Sequence, residues 1–192
     1  MDQTQAAIVA DRREHAMSNG TELYKMTQGV LTLDDKLAQE IVNAVGGVMR
    51  ETFSVDVTPG AFEVGEGMVS LVGDVSGVIG MVQSQLEGAL TLCLTFETVR
   101  NILPQVMGRS IAITHEMAVD AVGEITNMIF GQIKRDMSER GFQLKLGIPC
   151  VVTGKGHFVS HFHRGKYMIV PFNLDGQVFQ VHVALHDNGK AS

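Results

Sequence analysis

The sequence has little of the residue types that mark several specialised classes of protein. Its 192 residues include no tryptophan and two cysteines, and 15 lysines and arginines stand against 21 aspartates and glutamates, for a net charge of -6. Nucleic-acid binding requires clustered basic side chains that neutralise phosphates. Because no such cluster occurs, the composition predicts that the protein does not bind nucleic acid.

The cysteines and the apolar runs exclude further classes. Cys93 and Cys150 are far apart and lie in strand-like runs, which fits neither a disulfide scaffold nor a Cys-x-x-Cys zinc site, so both are predicted to be reduced, buried thiols. No run approaches the roughly 18 apolar residues of a membrane span, and the N-terminal segment is charged where a signal peptide would be apolar. These features predict a cytoplasmic protein that does not contact a membrane.

The remaining composition is that of a globular domain. A domain of about 150 residues is typical, so the length predicts one domain with an ample core. Residues 1–32 are polar and have no sustained apolar period. They are predicted to form a tail or a loosely attached helix, ahead of a single domain over residues 33–188.

Helical periodicity predicts two long helices and a shorter one. Residues 33–52 carry apolar side chains at intervals of three and four, and a second helix is predicted from Thr114 to about Arg140, where Gly141 would end it. The shorter helix spans residues 97–107, and Pro104 must kink or restart it.

The other apolar runs predict an antiparallel sheet. Connections between the runs are too short for parallel crossovers, so an α/β fold of the α+β type is expected, with the long helices packed on about six strands. Alternation in residues 89–95 predicts a strand with one buried face, and a turn is expected at residues 74–77. The predicted strand-like runs are residues 53–64, 68–82, 88–96, 143–152, 157–163, 166–172 and 177–186.

The two long helices share a sequence pattern. An offset of 84 residues, from Glu40 to Glu124, also aligns Asn43 with Asn127 and a glycine with Gly131. Similar glycine pairs precede the strands that follow each helix. The order of elements therefore predicts two helix-plus-three-strand halves of one domain, related by approximate two-fold symmetry.

A polar stripe runs along the second long helix. At about 100° per residue, Asp120, Glu124, Asn127 and Gly131 fall within about 60° of arc. A solvated helix face is the ordinary explanation, but interior glycines cost a helix about 1 kcal/mol each, so small residues here favour close approach of a partner. The predicted sheet-facing residues on the opposite side are Ala118, Val122, Ile125, Ile129 and Ile133.

The stretch Asp120-x3-Glu124-x2-Asn127, followed by Pro149, resembles the signature of the CheC/CheX/FliY chemotaxis phosphatases, and of their CheX-like members in particular. The resemblance extends from about residue 33 to 185, because this family also consists of two helix-plus-three-strand halves. The motif itself is short, and the separation of Asn127 and Pro149 is one residue shorter than the family spacing.

The resemblance implies dephosphorylation of the aspartyl phosphate on a CheY-like response regulator. Asn127 would hold the attacking water, Glu124 would dock the regulator, and Asp120, Gly131 and Pro149 would support the site. The chain would bind no cofactor, since the regulator carries the Mg²⁺ that stabilises charge in phosphoryl transfer. The alternative is a non-catalytic binding module of the same fold, as in the flagellar-switch relatives.

The repeat raises the question of a second site at Glu40 and Asn43. CheC-like relatives carry two such sites and CheX-like relatives one. Lys36 stands here where Asp120 stands in the second copy, so the first copy is either a second active site or a relic of duplication.

Two further features concern metals and assembly. His157, His161, His163, His182 and His186 suggest a zinc or nickel site, but no acidic residue accompanies them locally, and exposed strand histidines are the favoured interpretation. A free strand edge would allow a homodimer to form.

Overall fold

A computed structural model of the chain describes residues 31–67, 71–83, 86–108, 111–155, 157 and 165–187. Residues 1–30 of the predicted tail lie outside this described part. Within it, no helix combines the length and the apolar character needed to cross a membrane.

Four helices and eight strands form the described fold. The long helices are α1 (Asp35–Phe53) and α4 (His115–Glu139), and the short helix predicted around Pro104 is divided into α2 (Phe96–Ile102) and α3 (Pro104–Met107). The strands are β1 (Thr58–Pro59), β2 (Glu63–Glu66), β3 (Val75–Gln83), β4 (Leu86–Leu94), β5 (Lys145–Leu146), β6 (Cys150–Thr153), β7 (Lys166–Leu174) and β8 (Gln177–Asp187).

The sheet is antiparallel throughout and shows the predicted duplication. Its order is β1-β7-β8-β4-β3-β5, with β2 also paired to β7 and β6 also paired to β3. Each half contributes the same series, a long helix, a two-residue strand and three longer strands. The sheet has eight strands where about six were expected, because the two-residue strands β1 and β5 carry no periodicity that a sequence pattern could reveal.

Local signals mark the start of both long helices and the end of α4. The Asp34 carboxylate accepts from the Leu37 N–H at 3.0 Å, and its pKa lies below the ordinary value because the Thr32 hydroxyl and this N–H both donate to it. Thr114 caps α4 in the same way, accepting from the Met117 N–H. The chain leaves α4 through Gly141, which has a positive φ of 86°.

One hydrophobic core lies between the helices and the sheet. The five residues predicted to face the sheet from α4, Ala118 through Ile133, are all buried there. From the sheet, Phe172 and Phe179 stack across β7 and β8 with ring centroids 5.2 Å apart. Amphipathic helices on an apolar sheet face therefore form a two-layer structure, as the sequence predicts.

Two predictions about strands are wrong. The turn expected at residues 74–77 is absent, since β3 starts at Val75 and passes through Ser76 and Gly77. β4 is buried on both faces over residues 88–94, although its alternation predicted one exposed face. Both differences arise because each of these strands is paired on both sides, and neighbouring strands and packed side chains override local turn and polarity signals.

The two cysteines differ in environment. Cys93 is fully buried as predicted, and burial raises the pKa of its thiol to about 12. Cys150 is exposed on β6, so the prediction that both thiols are buried is wrong for this residue. Its strand lies at the border of the sheet, and the apolar run around it does not reveal that position.

Ile129 and Ile148 provide a test of the core. Ile129 is fully buried, whereas Ile148 is 93% exposed between β5 and β6. Replacing Ile129 by alanine should lower the free energy of unfolding by about 2–5 kcal/mol, and the same change at Ile148 should alter it by less than about 0.5 kcal/mol. Urea unfolding measures both values, and similar losses at the two positions would contradict the assigned core.

The cysteines can be distinguished by alkylation. Since the thiolate is the reactive form, iodoacetamide at pH 8 should modify Cys150 in the folded protein and reach Cys93 only after unfolding in urea. Mass spectrometry of the labelled peptides gives the result. The Cys150→Ser variant, expected to stay unlabelled when folded, is the control, and rapid labelling of that variant would show that Cys93 is accessible.

Candidate functional site

The polar stripe of α4 faces outward, as predicted. Asp120, Glu124 and Asn127 are exposed, and none of them makes a hydrogen bond or ion pair with the described residues. The arrangement follows from helical geometry, because the opposite side of α4 is committed to the core. A carboxylate and an amide one turn apart are thus available to a partner.

Small residues border this stripe. The nearest atom to a Cβ placed on Gly131 would be Arg135 Nη1, 3.8 Å away, and a Cβ on Gly123 would meet Val151 Cγ2 at an ordinary 3.4 Å. Neither glycine is therefore required by tight packing. The predicted supporting residue Pro149 is half-buried in the connection that leads to β6, and the contact of Val151 places β6 beside α4.

The corresponding residues of α1, Glu40 and Asn43, bond to other side chains of the same chain. Glu40 forms an ion pair with Arg140, its side chain is 13% exposed, and its Oε2 atom is buried without a hydrogen bond from the described residues. Arg140 lies 5.4 Å from the centre of the Phe142 ring, which holds the guanidinium in place. The Asn43 side chain accepts from Gln39 at 2.9 Å. The two copies of the motif therefore differ in what they offer to a partner.

A groove of about 390 Å³ separates the outer faces of α1 and α4. The ion pair between Glu40 and Arg140 joins the start of α1 to the end of α4, so the helices are antiparallel and the groove lies on the approximate two-fold axis. Four pairs of lining residues are related by the same offset of 84: Asn43 and Asn127, Val48 and Gln132, Glu51 and Arg135, and Thr52 and Asp136.

Sequence reasoning missed both the groove and Arg140. Arg140 is 100 positions from Glu40, and nothing in the local sequence of either residue indicates the pairing. The offset of 84 relates the groove-lining residues to one another, and it is the signal that could have located the groove.

The histidines are not uniformly exposed, contrary to expectation. His182 is fully buried in β8, and His157 contacts Ser76 Oγ at 2.8 Å and the Gly154 carbonyl oxygen at 2.6 Å. His161 and His163 lie outside the described residues. Among the residues that the structure describes, no group of three or more histidines, cysteines and acids could hold a metal ion.

A duplicated antiparallel sheet, two antiparallel helices on one face and an exposed Glu-x-x-Asn pair define a two-layer α/β protein whose candidate site is a helix face. The family model described as "Chemotaxis phosphatase CheX" matches residues 67–173, more than half of the chain. The chain belongs to this family.

Individual relatives agree with this assignment. The "CheY-P phosphatase CheX" of Thermotoga maritima is 21% identical over 165 residues, which is 82% of this chain and 100% of the relative. A CheC-like superfamily protein from Shewanella sp. PV-4 has 26% identity and a TM-score of 0.71, over 80% of this chain and 99% of that one. The CheX–CheY–BeF3–Mg²⁺ complex from Borrelia burgdorferi matches with 21% identity and a TM-score of 0.66, covering 81% and 100% of the chains. This last likeness shows a common fold.

Proposed function

We propose that this protein hydrolyses the aspartyl phosphate of a CheY-like response regulator. The observation that carries the proposal is the exposed pair Glu124 and Asn127, on one face of α4 and unengaged by the described residues. Membership of the CheX family supports phosphatase activity in general. The name of the Thermotoga relative and the CheY complex of the Borrelia relative support this class of partner.

Asn127 is assigned the role of orienting the attacking water. An amide can accept from and donate to a water molecule but is no strong base, so its contribution is orientation. Phosphoryl transfer is catalysed mainly by positioning and charge stabilisation, which makes an orienting group sufficient. Asn127 is exposed on α4, so a docked partner can reach its amide.

Glu124 is assigned to docking. Its carboxylate is exposed one helical turn before Asn127, and no described cation neutralises it. An ion pair with a basic side chain of the regulator would fix the direction of approach and accelerate the encounter. The proposal places the Mg²⁺ on the regulator.

We assign activity to one copy of the motif. Arg140 forms an ion pair with Glu40, and the Gln39 side chain donates a hydrogen bond to the Asn43 side chain. A regulator would have to break these contacts before it could use the first copy. The proposal therefore places catalysis at Glu124 and Asn127 and treats Glu40 and Asn43 as a relic of duplication.

Matched substitutions at the two asparagines test the assignment. With a CheY-type receiver phosphorylated by acetyl phosphate in Mg²⁺, Asn127→Ala should lower the accelerated rate of phosphate release by on the order of 100-fold, because the water loses its orienting group. Asn43→Ala should leave this rate essentially unchanged. Equal losses in the two variants would contradict the assignment to one copy.

The wild-type rate decides the function itself. If the wild-type protein does not accelerate phosphate release from several such receivers, the phosphatase proposal fails. Retention of the unphosphorylated receiver without any rate effect would instead support the non-catalytic binding module.

Glu124→Gln tests the docking role. Loss of the ion pair should raise KM for the phosphorylated receiver by about tenfold, equivalent to about 1.4 kcal/mol, with a smaller change in kcat. The difference from wild type should shrink as salt is raised, since exposed charges are screened. Glu139→Gln is the control, because it makes the same change at an exposed position at the far end of α4. An unchanged KM in Glu124→Gln would remove the docking role.

A further inference from the structure

One position interrupts the core surface of β3 beneath α4. The β3 residues that face the helices are Val75, Gly77, Ile79 and Met81, and all but the glycine contribute large apolar side chains to the core. A Cβ atom on Gly77 would overlap Thr126 Oγ1 and lie 2.8 Å from Thr126 Cβ. Glycine in a strand interior commonly marks a close approach of another element, and here α4 rests directly on the strand backbone.

The Thr126 side chain that fills this space is itself held in place. It is fully buried, and its hydroxyl donates to the Val122 carbonyl oxygen at 2.6 Å. Thr126 immediately precedes Asn127 and follows Glu124 by two residues. Any shift of α4 at this contact therefore moves the backbone that carries the proposed catalytic amide.

The equivalent position beneath α1, which packs on β7 as α4 packs on β3, is not a glycine. The equivalent strands β3 and β7 end at Gln83 and Leu174, so counting back from these ends places Met168 at the position of Gly77. The offset of 84 places Val42 at the position of Thr126. Met168 is fully buried in the core. A long side chain thus lies beneath α1 where a glycine lies beneath α4, and of the two helices α4 carries the Glu-x-x-Asn pair that is unengaged by the described residues.

We propose that Gly77 and Thr126 form a seat that sets the position of Asn127, and that both are positioning residues of the phosphatase site. This proposal rests on the function proposed above. Asn127 has a short side chain that cannot compensate for a displaced backbone, whereas the longer Glu124 side chain can adjust to a docking partner. A disturbed seat therefore affects turnover more than binding.

Gly77→Ala tests the seat. The added methyl group should displace α4 and lower kcat by about 10- to 100-fold, since a shift of about 1 Å in a reacting group has effects of this size. KM should change much less. Gly80→Ala is the matched control, because it is the same substitution in the same strand, at an exposed glycine where a Cβ would meet nothing within 4 Å.

A second substitution distinguishes displacement from general damage. Adding Thr126→Ala to Gly77→Ala removes Oγ1 and Cγ2 from the crowded contact, so the double variant should recover part of the lost kcat. Thr126→Ala alone should also lower kcat, by several-fold, because the seat is left unfilled, and alanine is a strong helix former at this position. If Gly77→Ala does not fold, the kcat of Thr126→Ala tests the proposal. Equal kcat in wild type, Gly77→Ala and Thr126→Ala would overturn the proposal.

An NMR measurement separates this proposal from the proposed function. The side-chain amide resonances of Asn127, identified by their loss in Asn127→Ala, should shift in Gly77→Ala and in Thr126→Ala and stay in place in Gly80→Ala. If wild type proves inactive on receivers, the function fails, and these resonances alone decide whether the seat exists. Unmoved resonances in both seat variants would overturn it.

Discussion

The pairing of β4 with β8 is the interaction on which the rest of the structure depends. These strands come from different halves of the chain, and their antiparallel register runs from Leu86 opposite Asp187 to Cys93 opposite Gln180. Each is also bonded to the other strand of its own hairpin, so the four strands form a continuous platform. Without this pairing the platform would separate into two two-stranded hairpins, each marginally stable at best. The joined platform gives both long helices one apolar surface.

Duplication also fixes where the helices lie, while their outer residues make different contacts. The halves exchange their outer strands, since β2 of the first half pairs with β7 of the second and β6 of the second pairs with β3 of the first. This exchange ties the helices into one antiparallel pair around the groove. Because each helix is held by the shared core, the outer residues of one copy are free to change. Arg140 has neutralised Glu40 in the first copy, while Glu124 stays unpaired among the described residues.

Much of the fold could be predicted because its signals are local. The caps at Asp34 and Thr114, the glycine after α4 and the outward stripe of Asp120, Glu124 and Asn127 all follow from patterns within a few helical turns. Helical periodicity assigns a face to each side chain before any neighbour is known. The offset of 84 between the helices extends this reasoning to the order of elements in both halves.

Predictions failed where distant residues determine the environment. Gly77 was expected in a turn and lies inside β3, paired with Leu92 on one side and Val151 on the other. His182 was expected to be exposed and is buried, and Cys150 was expected to be buried and is exposed. Alternation along one strand records which side chains share a face. It does not record which strand is central, or what covers each face.

The sequence by itself determined the class of fold, the duplicated order of elements and the helix face that carries Glu124 and Asn127. It could not decide which copy of the motif is available to a partner, since both copies have the same Glu-x-x-Asn spacing. Only the tertiary structure decided that the two copies stand in different surroundings, because Arg140 pairs with Glu40 across 100 positions of chain whereas Glu124 pairs with none of the described residues. The physical reason is that periodicity and capping act over a few residues, whereas charge pairing and close packing depend on distance in space.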